Sequence, residues 1–283
     1  RQQEQWYAKR PDYIQRMTER SERYLFHIVE EIERRNMPME LALLPFIESA
    51  FNPQALSSAR ASGIWQFMPA TGKDFELKQN LFRDDRRDVL ASTRAALDYL
   101  QRLNKQFGDW HLALAAYNWG EGNVQKAINR NARQGLPTDY ASLNMPPETR
   151  NYVPKLHAIK NIVAHPEAYN LTLTPIENHP YFVSVPIQRD LDANLAARLA
   201  GLPHDHRWLL GASGLREITM GLGILSERRP AGWMWSRVGG DALGDVARRA
   251  RPAPQAFELQ PADAVETVVY GLLDAPHWRS IPF

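Results

Sequence analysis

Residues 41–71, LALLPFIESAFNPQALSSARASGIWQFMPAT, place one acidic side chain, Glu48, at the end of a strongly apolar run. Helical spacing puts Leu41, Leu44 and Ile47 on the same face as Glu48, which favours a carboxyl that points toward the interior. Proline disfavours helical geometry in the residue before it, so Pro53 predicts that this helix ends near Phe51. Glu48 is therefore expected in the last turn. The alternative is an ordinary helix residue that faces solvent.

The predicted position of Glu48 favours a carboxyl that keeps its proton at a higher pH than usual. The carbonyl end of a helix is its negative pole, so it disfavours an ionised carboxylate. Burial acts in the same direction because desolvation penalises the charged form. Both effects predict a raised pKa for Glu48. A carboxyl that is still protonated near neutral pH is what a general acid for glycosidic cleavage requires.

The composition is that of an ordinary globular protein. Of its 283 residues, 44% are hydrophobic and 23% are charged, and the formal net charge of +2 is too small for a typical nucleic-acid binder. The absence of cysteine excludes disulfides, cysteine nucleophiles and thiolate metal sites. The histidines show no metal-ligand spacing, and His204 and His206 lack a third ligand. We therefore expect no metal, no cofactor and no nucleic-acid partner.

Helical periodicity dominates the first part of the chain. Apolar spacing predicts one long amphipathic helix over residues 12–36 and another over 84–107. Gly108 is expected to end the latter, and Asp109 to cap the next. Residues 110–119, WHLALAAYNW, are apolar nearly all round, which predicts a helix at the centre of a domain. Shorter helices are expected over 123–130 and 146–165, so this part is predicted to be all-α or nearly so.

The composition and apolar pattern of the sequence change after Pro166. Prolines become frequent and the apolar pieces short, which predicts a linker or short strands near residue 182, followed by a helix over 191–202. Residues 238–249 resemble the opening of a LysM carbohydrate-binding repeat, but the match lacks a second half. We predict a catalytic domain over residues 1–168 and a small, poorly defined α+β accessory tail over residues 169–283. The tail contains this degenerate LysM-like region and four tryptophans.

A set of short motifs occurs in a distinctive order. They are Glu48-Ser49, Ser57, the run GIWQFMP over residues 63–69, Thr71, Ala116-Tyr117-Asn118 and Tyr152. In order and spacing they resemble the lytic transglycosylases with a goose-type-lysozyme-like fold, and most closely the membrane-bound lytic murein transglycosylase D type. The resemblance extends over residues 6–168, weakens after that point and is nearly absent after Pro203.

This resemblance implies a peptidoglycan lyase that cuts the β-1,4 bond between N-acetylmuramic acid and N-acetylglucosamine without water. Glu48 would protonate the glycosidic oxygen while the acetamido group stabilises the charge at the anomeric carbon. Ionised Glu48 would then take the proton of the 6-hydroxyl, which closes a 1,6-anhydro ring. Switching from acid to base suits a group whose pKa lies near ambient pH.

The resemblance also implies roles for the other motif residues. Ser57 and Gln66 would hold the sugar by hydrogen bonds, and Met68 would pack beside Glu48. The remaining implied contacts involve Tyr117 and Asn118 with the substrate, Asn118 near the acetamido group, and the hydroxyl of Tyr152 with Glu48. Plain core packing is the alternative for Met68 and Tyr117, and simple capping of a buried group is the alternative for Tyr152. Trp65 and Trp119 could stack on sugars or lie buried.

A second catalytic carboxylate, which most glycosidases need, has no obvious candidate. The acidic residues near the motifs are Asp74, Glu76, Asp84, Asp85, Glu121 and Glu148. Asp84 and Asp85 are expected to cap the helix that follows them, and Glu148 to stabilise the first turn of another. The family resembled here works with a single acid, so the missing partner fits it.

Two other functions compete with this interpretation. One is a peptidoglycan-binding protein without turnover, and the other is a hydrolytic lysozyme. In each case the partner is the glycan strand, so we expect a periplasmic protein associated with the cell envelope. The family often carries a lipidated N-terminal cysteine, which implies outer-membrane association through a segment that this chain does not contain.

Overall fold

The computed structural model describes residues 2–81, 83–173, 175–176, 178, 180–186 and 217–221. The motifs over residues 48–71, residues 116–118 and Tyr152 all lie within these residues. The predicted helix over 191–202, the LysM-like fragment over 238–249 and the four tryptophans of the tail lie outside them.

The described chain is mainly helical, as predicted. Its helices are α1 (Gln2–Ala8), α2 (Pro11–Ser21), α3 (Leu25–Arg34), α4 (Leu44–Ser49), α5 (Pro69–Asp74), α6 (Val89–Phe107), α7 (Trp110–Trp119), α8 (Glu121–Arg133), α9 (Pro147–Arg150) and α10 (Tyr152–Ala164). Two 3₁₀ helices cover Met39–Leu43 and Pro166–Tyr169. Strands β1 (Phe182–Pro186) and β2 (Glu217–Gly221) pair in antiparallel fashion, with Phe182 opposite Gly221.

The prediction of one helix over residues 12–36 is wrong, because one helix ends at Ser21 and a second begins at Leu25. The buried hydroxyls of Thr18 and Ser21 donate to the carbonyls of Gln15 and Thr18, three residues back. Such local side-chain bonds compete with helical backbone bonding and often accompany a helix end. The apolar stripe continues across the break, and for that reason periodicity alone did not reveal it.

Helix α6 begins later than predicted. Its N-cap is Asp88, whose carboxylate accepts from the Ala91 N–H at 3.0 Å. Asp84 and Asp85 do not cap it, so that prediction is wrong. Instead Asp84 accepts from the buried guanidinium of Arg86 at 2.7 Å, and Asp85 accepts from Arg83 at 2.8 Å. The carboxylates stabilise the preceding loop rather than the helix.

Helix α7 lies at the centre of the domain, where it packs against α6, α8, α9 and α10. Its residues 112–116 are buried, which confirms the prediction from their apolar character. Asp109 caps it by accepting from the Leu112 N–H at 2.8 Å, and Gly108 ends α6 with φ of 68°, as predicted. Most residues favour negative φ, so glycine suits this stop. The central helix delivers the Tyr117-Asn118 motif at its C-terminal end.

The packed core continues past the predicted boundary at residue 168. Leu171 and Ile176 are buried in the same hydrophobic cluster as the helices. Within the part of the chain that the structure describes, no helix is both long and apolar enough to cross a membrane.

Candidate active site

Helix α4 stops directly after Glu48-Ser49. Ala50 and Phe51 follow with φ of 50° and 55°, in the left-handed region that non-glycine residues rarely adopt. The Phe51 N–H donates to the Pro45 carbonyl at 3.0 Å and closes the helix end. Glu48 therefore lies in the last turn, as predicted. The stop itself depends on the left-handed pair, which lies ahead of Pro53.

The carboxyl of Glu48 is partly buried, and its Oε1 accepts a hydrogen bond from the hydroxyl of Tyr152. Burial is the largest influence and raises the pKa of Glu48 from 4.5 to about 7. The Tyr152 hydrogen bond lowers this pKa, the charge of Glu148 raises it, and that of Lys155 lowers it. A carboxyl with such a pKa can both donate and accept a proton near neutral pH.

The loop after α4 is held close to Glu48 by its backbone. The Ser49 hydroxyl donates to the Ile64 carbonyl at 3.0 Å and so joins the helix end to the loop. Gly63 has φ of 82°, and a Cβ at this position would lie 1.8 Å from the Arg86 carbonyl oxygen. Only glycine permits this approach. The buried Arg86 guanidinium donates to the carbonyls of Arg60 and Phe67, at 2.7 and 3.0 Å, and fixes the loop from inside.

Trp65 is fully buried, so the structure decides between the two alternatives for this residue in favour of the core. Its indole N–H donates to the Thr93 hydroxyl at 3.0 Å, and its carbonyl accepts from the Tyr117 hydroxyl at 2.8 Å. Tyr117 is partly buried, and its ring lies 5.5 Å from that of Tyr99. Burial and the nearby charge of Glu48 raise the pKa of Tyr117 well above its usual value, so the hydroxyl stays neutral.

The other predicted site residues occupy the loop and the end of α7. Ser57 accepts from the Ala61 N–H at 2.9 Å, within its own turn. Gln66, with φ of 50°, donates from Nε2 to the Gly63 carbonyl at 2.8 Å. Met68 is 44% exposed, so plain core packing is excluded for it. The Asn118 Oδ1 accepts from the Thr149 hydroxyl at 2.8 Å.

Three further residues influence the site, although the sequence assigned none of them a role there. Glu148 and Lys155 act on the pKa of Glu48, and Thr149 binds Asn118. All three lie within one helical turn of Tyr152 in sequence, and this spacing is the signal that could have found them. Of the remaining acidic candidates, Glu121 accepts from the Tyr99 hydroxyl at 2.7 Å and from Arg102 at 2.9 Å, in a structural cluster.

No group of three or more histidine, aspartate or glutamate side chains is arranged to hold a metal ion among the described residues. In the same part of the chain Glu48 makes no ion pair. The site therefore consists of one carboxyl on α4, two tyrosines, an amide at the end of α7 and the loop over residues 57–68.

Residues 27–137 match the family described as the Transglycosylase SLT domain. The chain is 45% identical over 203 residues to the membrane-bound lytic murein transglycosylase D of Escherichia coli (strain K12). The aligned region covers 71% of this chain and 45% of that protein. The chain is 31% identical over 127 residues to the soluble lytic murein transglycosylase of the same strain, covering 43% and 19%. The solved 70 kDa soluble lytic transglycosylase of Escherichia coli aligns at a TM-score of 0.36 and 29% identity, covering 42% of this chain and 20% of that one.

The chain spans less than half the length of the first curated relatives that it matches. The family match and the sequence identity to the curated relatives confirm the resemblance that the motifs indicated. The matched domain contains every predicted site residue except Tyr152, which follows it on α10.

Proposed function

We propose that this chain, in which residues 27–137 match the transglycosylase SLT domain family, is a peptidoglycan lytic transglycosylase. It cleaves the β-1,4 bond between N-acetylmuramic acid and N-acetylglucosamine and leaves 1,6-anhydromuramic ends. The observation that carries this proposal is the Glu48 carboxyl, whose pKa burial raises to about 7 and whose hydrogen-bond partner is a neutral phenol. Such a group can give and take a proton at one pH.

Glu48 acts first as the general acid. Tyr152 occupies its Oε1, which leaves Oε2 to carry the proton to the glycosidic oxygen as the bond to the anomeric carbon breaks. The acetamido group of the substrate stabilises the charge that develops at this carbon. Glu48, now ionised, takes the proton from the sugar's 6-hydroxyl, and the alkoxide oxygen closes the anhydro ring. The Tyr152 hydrogen bond favours the ionised form between these two steps.

The remaining site residues bind and orient the glycan. Met68 offers exposed apolar surface at the end of the loop, and Gln66 keeps its Oε1 as an acceptor because Nε2 is bound to the Gly63 carbonyl. Tyr117 and Asn118 contact the sugar beside Glu48, with Asn118 near its acetamido group. Ser57 acts from the outer part of the loop.

The mass of the products tests this function. Purified peptidoglycan glycan is digested and the released sugars are analysed by mass spectrometry. A lytic transglycosylase yields a product lighter by one water than that of a hydrolytic lysozyme. If every product carried a reducing end, the protein would be a hydrolytic lysozyme instead. If the protein bound the glycan and released no sugar, it would be a non-catalytic peptidoglycan-binding protein.

We also propose that residues 1–168 carry catalysis and that residues 169–283 are an accessory region for the insoluble wall. Because Leu171 and Ile176 are buried in the helical core, the fragment to compare with the full chain should end at residue 178. We expect this fragment to lose activity on insoluble wall only. An equal loss on a short soluble glycan would mean that the tail shapes the cleft.

We infer a location at the periplasmic side of the cell envelope, where peptidoglycan lies. The similarity to a relative named membrane-bound supports this inference. Fractionation of cells that make the natural protein tests it: recovery with the envelope fraction is expected, and recovery with the cytoplasm would contradict it.

A further inference from the structure

The amide of Asn118 is held in one orientation by a buried hydroxyl. Thr149 is only 2% exposed, and its Oγ1 donates to the Asn118 Oδ1 at 2.8 Å. Within the part of the chain that the structure describes, the Asn118 Nδ2 makes no hydrogen bond to protein, and it is not among the buried polar atoms that lack a partner. The carbonyl end of the amide is therefore engaged inward, whereas the NH₂ end is available to a ligand.

Thr149 is itself fixed by its neighbours. Its carbonyl accepts from the Tyr140 hydroxyl at 2.6 Å, and that hydroxyl in turn accepts from the Val153 N–H at 3.3 Å. The next residue, Arg150, donates to the Met145 carbonyl at 2.9 Å. The segment that holds Thr149 therefore cannot turn without breaking several hydrogen bonds, so it can impose an orientation on Asn118.

Asn118 is connected to both tyrosines that act on Glu48, through the chain on one side and through Thr149 on the other. It follows Tyr117, whose pKa is raised by burial and then by the charge of Glu48, and its partner Thr149 lies three residues before Tyr152, which donates to Glu48. The orientation of this amide is thus set at the place where the sugar next to the cleaved bond must lie.

We propose that Thr149 is a positioning residue that makes the site selective for an N-acetylated sugar, by presenting the Asn118 NH₂ group rather than its carbonyl. This proposal rests on the proposed function. An acetamido carbonyl accepts from the NH₂ group. A de-N-acetylated sugar carries an ammonium, which is a donor only, so it meets another donor and is rejected.

The test compares the equilibrium affinity for glycan strands before and after enzymatic de-N-acetylation, because cleavage itself uses the acetamido group and would favour the acetylated glycan whatever Thr149 does. Thr149→Val keeps the shape of the side chain and removes the hydroxyl, so the amide can turn. We expect the preference for the acetylated glycan to narrow about tenfold, the worth of about one hydrogen bond. Thr149→Ser restores the donor and should restore the preference. Thr172→Val makes the same change at an exposed threonine outside the site and should leave the preference unchanged.

A merely structural role for Thr149 predicts an equal loss on both glycans, and that result would overturn the proposal. So would a serine variant that behaves like valine. If Thr149→Val does not fold, Asn118→Asp tests the same point. Its carboxylate accepts from Thr149 with one oxygen and offers the other to the ammonium, so we expect the preference to reverse, and an unchanged preference would overturn the proposal.

Equilibrium binding of the same two glycans separates this proposal from the proposed function. If the wild-type chain cleaves neither glycan yet binds the acetylated one more tightly, and Thr149→Val narrows that difference, the function fails and the role of Thr149 stands. If the wild-type chain cleaves the acetylated glycan to anhydro products yet binds both glycans equally well, the function stands and the role of Thr149 fails.

Discussion

Glu40 and Glu48 lie on successive helical elements, and both are bound by the same helix, α10. Glu40, on the 3₁₀ helix, is fully buried and pairs with the ammonium of Lys160 at 3.3 Å. Glu48, on α4, is partly buried and accepts from the phenol of Tyr152. Two carboxyls with the same chemistry thus receive partners of different charge from one helix.

This difference decides what each carboxyl can do. A buried ion pair contributes to the fold only while both members are present, because removing one leaves the other without its partner. A buried carboxyl beside a neutral hydroxyl lacks a compensating charge, so its pKa rises and it exchanges protons near neutral pH. We therefore expect Glu40 to matter for folding and Glu48 to matter for chemistry.

The largest effect is expected from Glu48→Gln, which keeps the shape of the side chain and removes the proton donor. Loss of a general acid and base costs about 10²- to 10⁴-fold in rate, while folding and glycan binding persist. Turnover on purified peptidoglycan and the urea unfolding midpoint measure both. Glu76→Gln makes the same change at an exposed carboxylate and should keep turnover. Near-normal turnover in Glu48→Gln would refute its assignment.

Lys160→Met tests the other half of the comparison. It leaves the buried Glu40 without its ammonium partner, so we expect a loss of about 3–5 kcal/mol in the free energy of unfolding, measured in urea. The double variant Glu40→Met/Lys160→Met removes both charges and should regain much of this loss. Equal losses in the single and double variants would show that packing, not the charge pair, is what the lysine supplies.

The pH dependence of stability provides a third test. Because the folded-state pKa of Glu48 is raised from 4.5 to about 7, the folded protein binds this proton more tightly than the unfolded chain. This proton contributes up to about 3 kcal/mol to the free energy of unfolding. The contribution is fully present below a pH of about 4.5 and is lost as the pH rises through about 7. Relative to Glu48→Gln, the wild-type protein should therefore lose stability over this range. If the free energies of unfolding of the two proteins changed with pH in the same way, this expectation would be contradicted.

The smallest effect is expected from Tyr152→Phe. Its hydrogen bond lowers the pKa of Glu48, so removing the hydroxyl should raise that pKa by about one further unit, roughly the worth of a hydrogen bond to a charged group. The pH profile of kcat should shift upward accordingly. Tyr140→Phe deletes a hydroxyl that does not contact Glu48, and it should leave the profile in place. A shift of the kcat profile to lower pH in Tyr152→Phe would show that this hydroxyl raises the pKa of Glu48 instead of lowering it.

The sequence predicts Glu48 well because its signals are local. An apolar run and a helix end near Phe51 act on the same carboxyl, and both can be read from a few adjacent residues. The reason for the helix end was not predictable, because it depends on Ala50 and Phe51 adopting left-handed conformations that neither residue type favours. Propensity gives no warning of a geometry that the tertiary structure imposes.

Contacts between distant segments account for most of the remaining differences. Asp84 and Asp85 precede a helix, so capping was the natural prediction, yet they accept from Arg86 and Arg83, and Arg86 in turn binds the carbonyls of Arg60 and Phe67 in the distant loop beside Glu48. The pairing of Glu40 with Lys160 and of Asn118 with Thr149 likewise depends on how α10 and α9 pack. Periodicity locates the buried face of a helix but not the polar group that will face it.

The pKa of Glu48 itself tests the central claim most directly. With the glutamate carboxyls labelled with ¹³C, NMR spectra across the pH range follow each titration, and the resonance missing from Glu48→Gln identifies this residue. We expect its midpoint near pH 7, because burial disfavours the ionised carboxylate more than the Tyr152 hydrogen bond favours it. A midpoint near 4.5 would contradict the claim, because Glu48 would then be ionised at neutral pH and could not supply the proton.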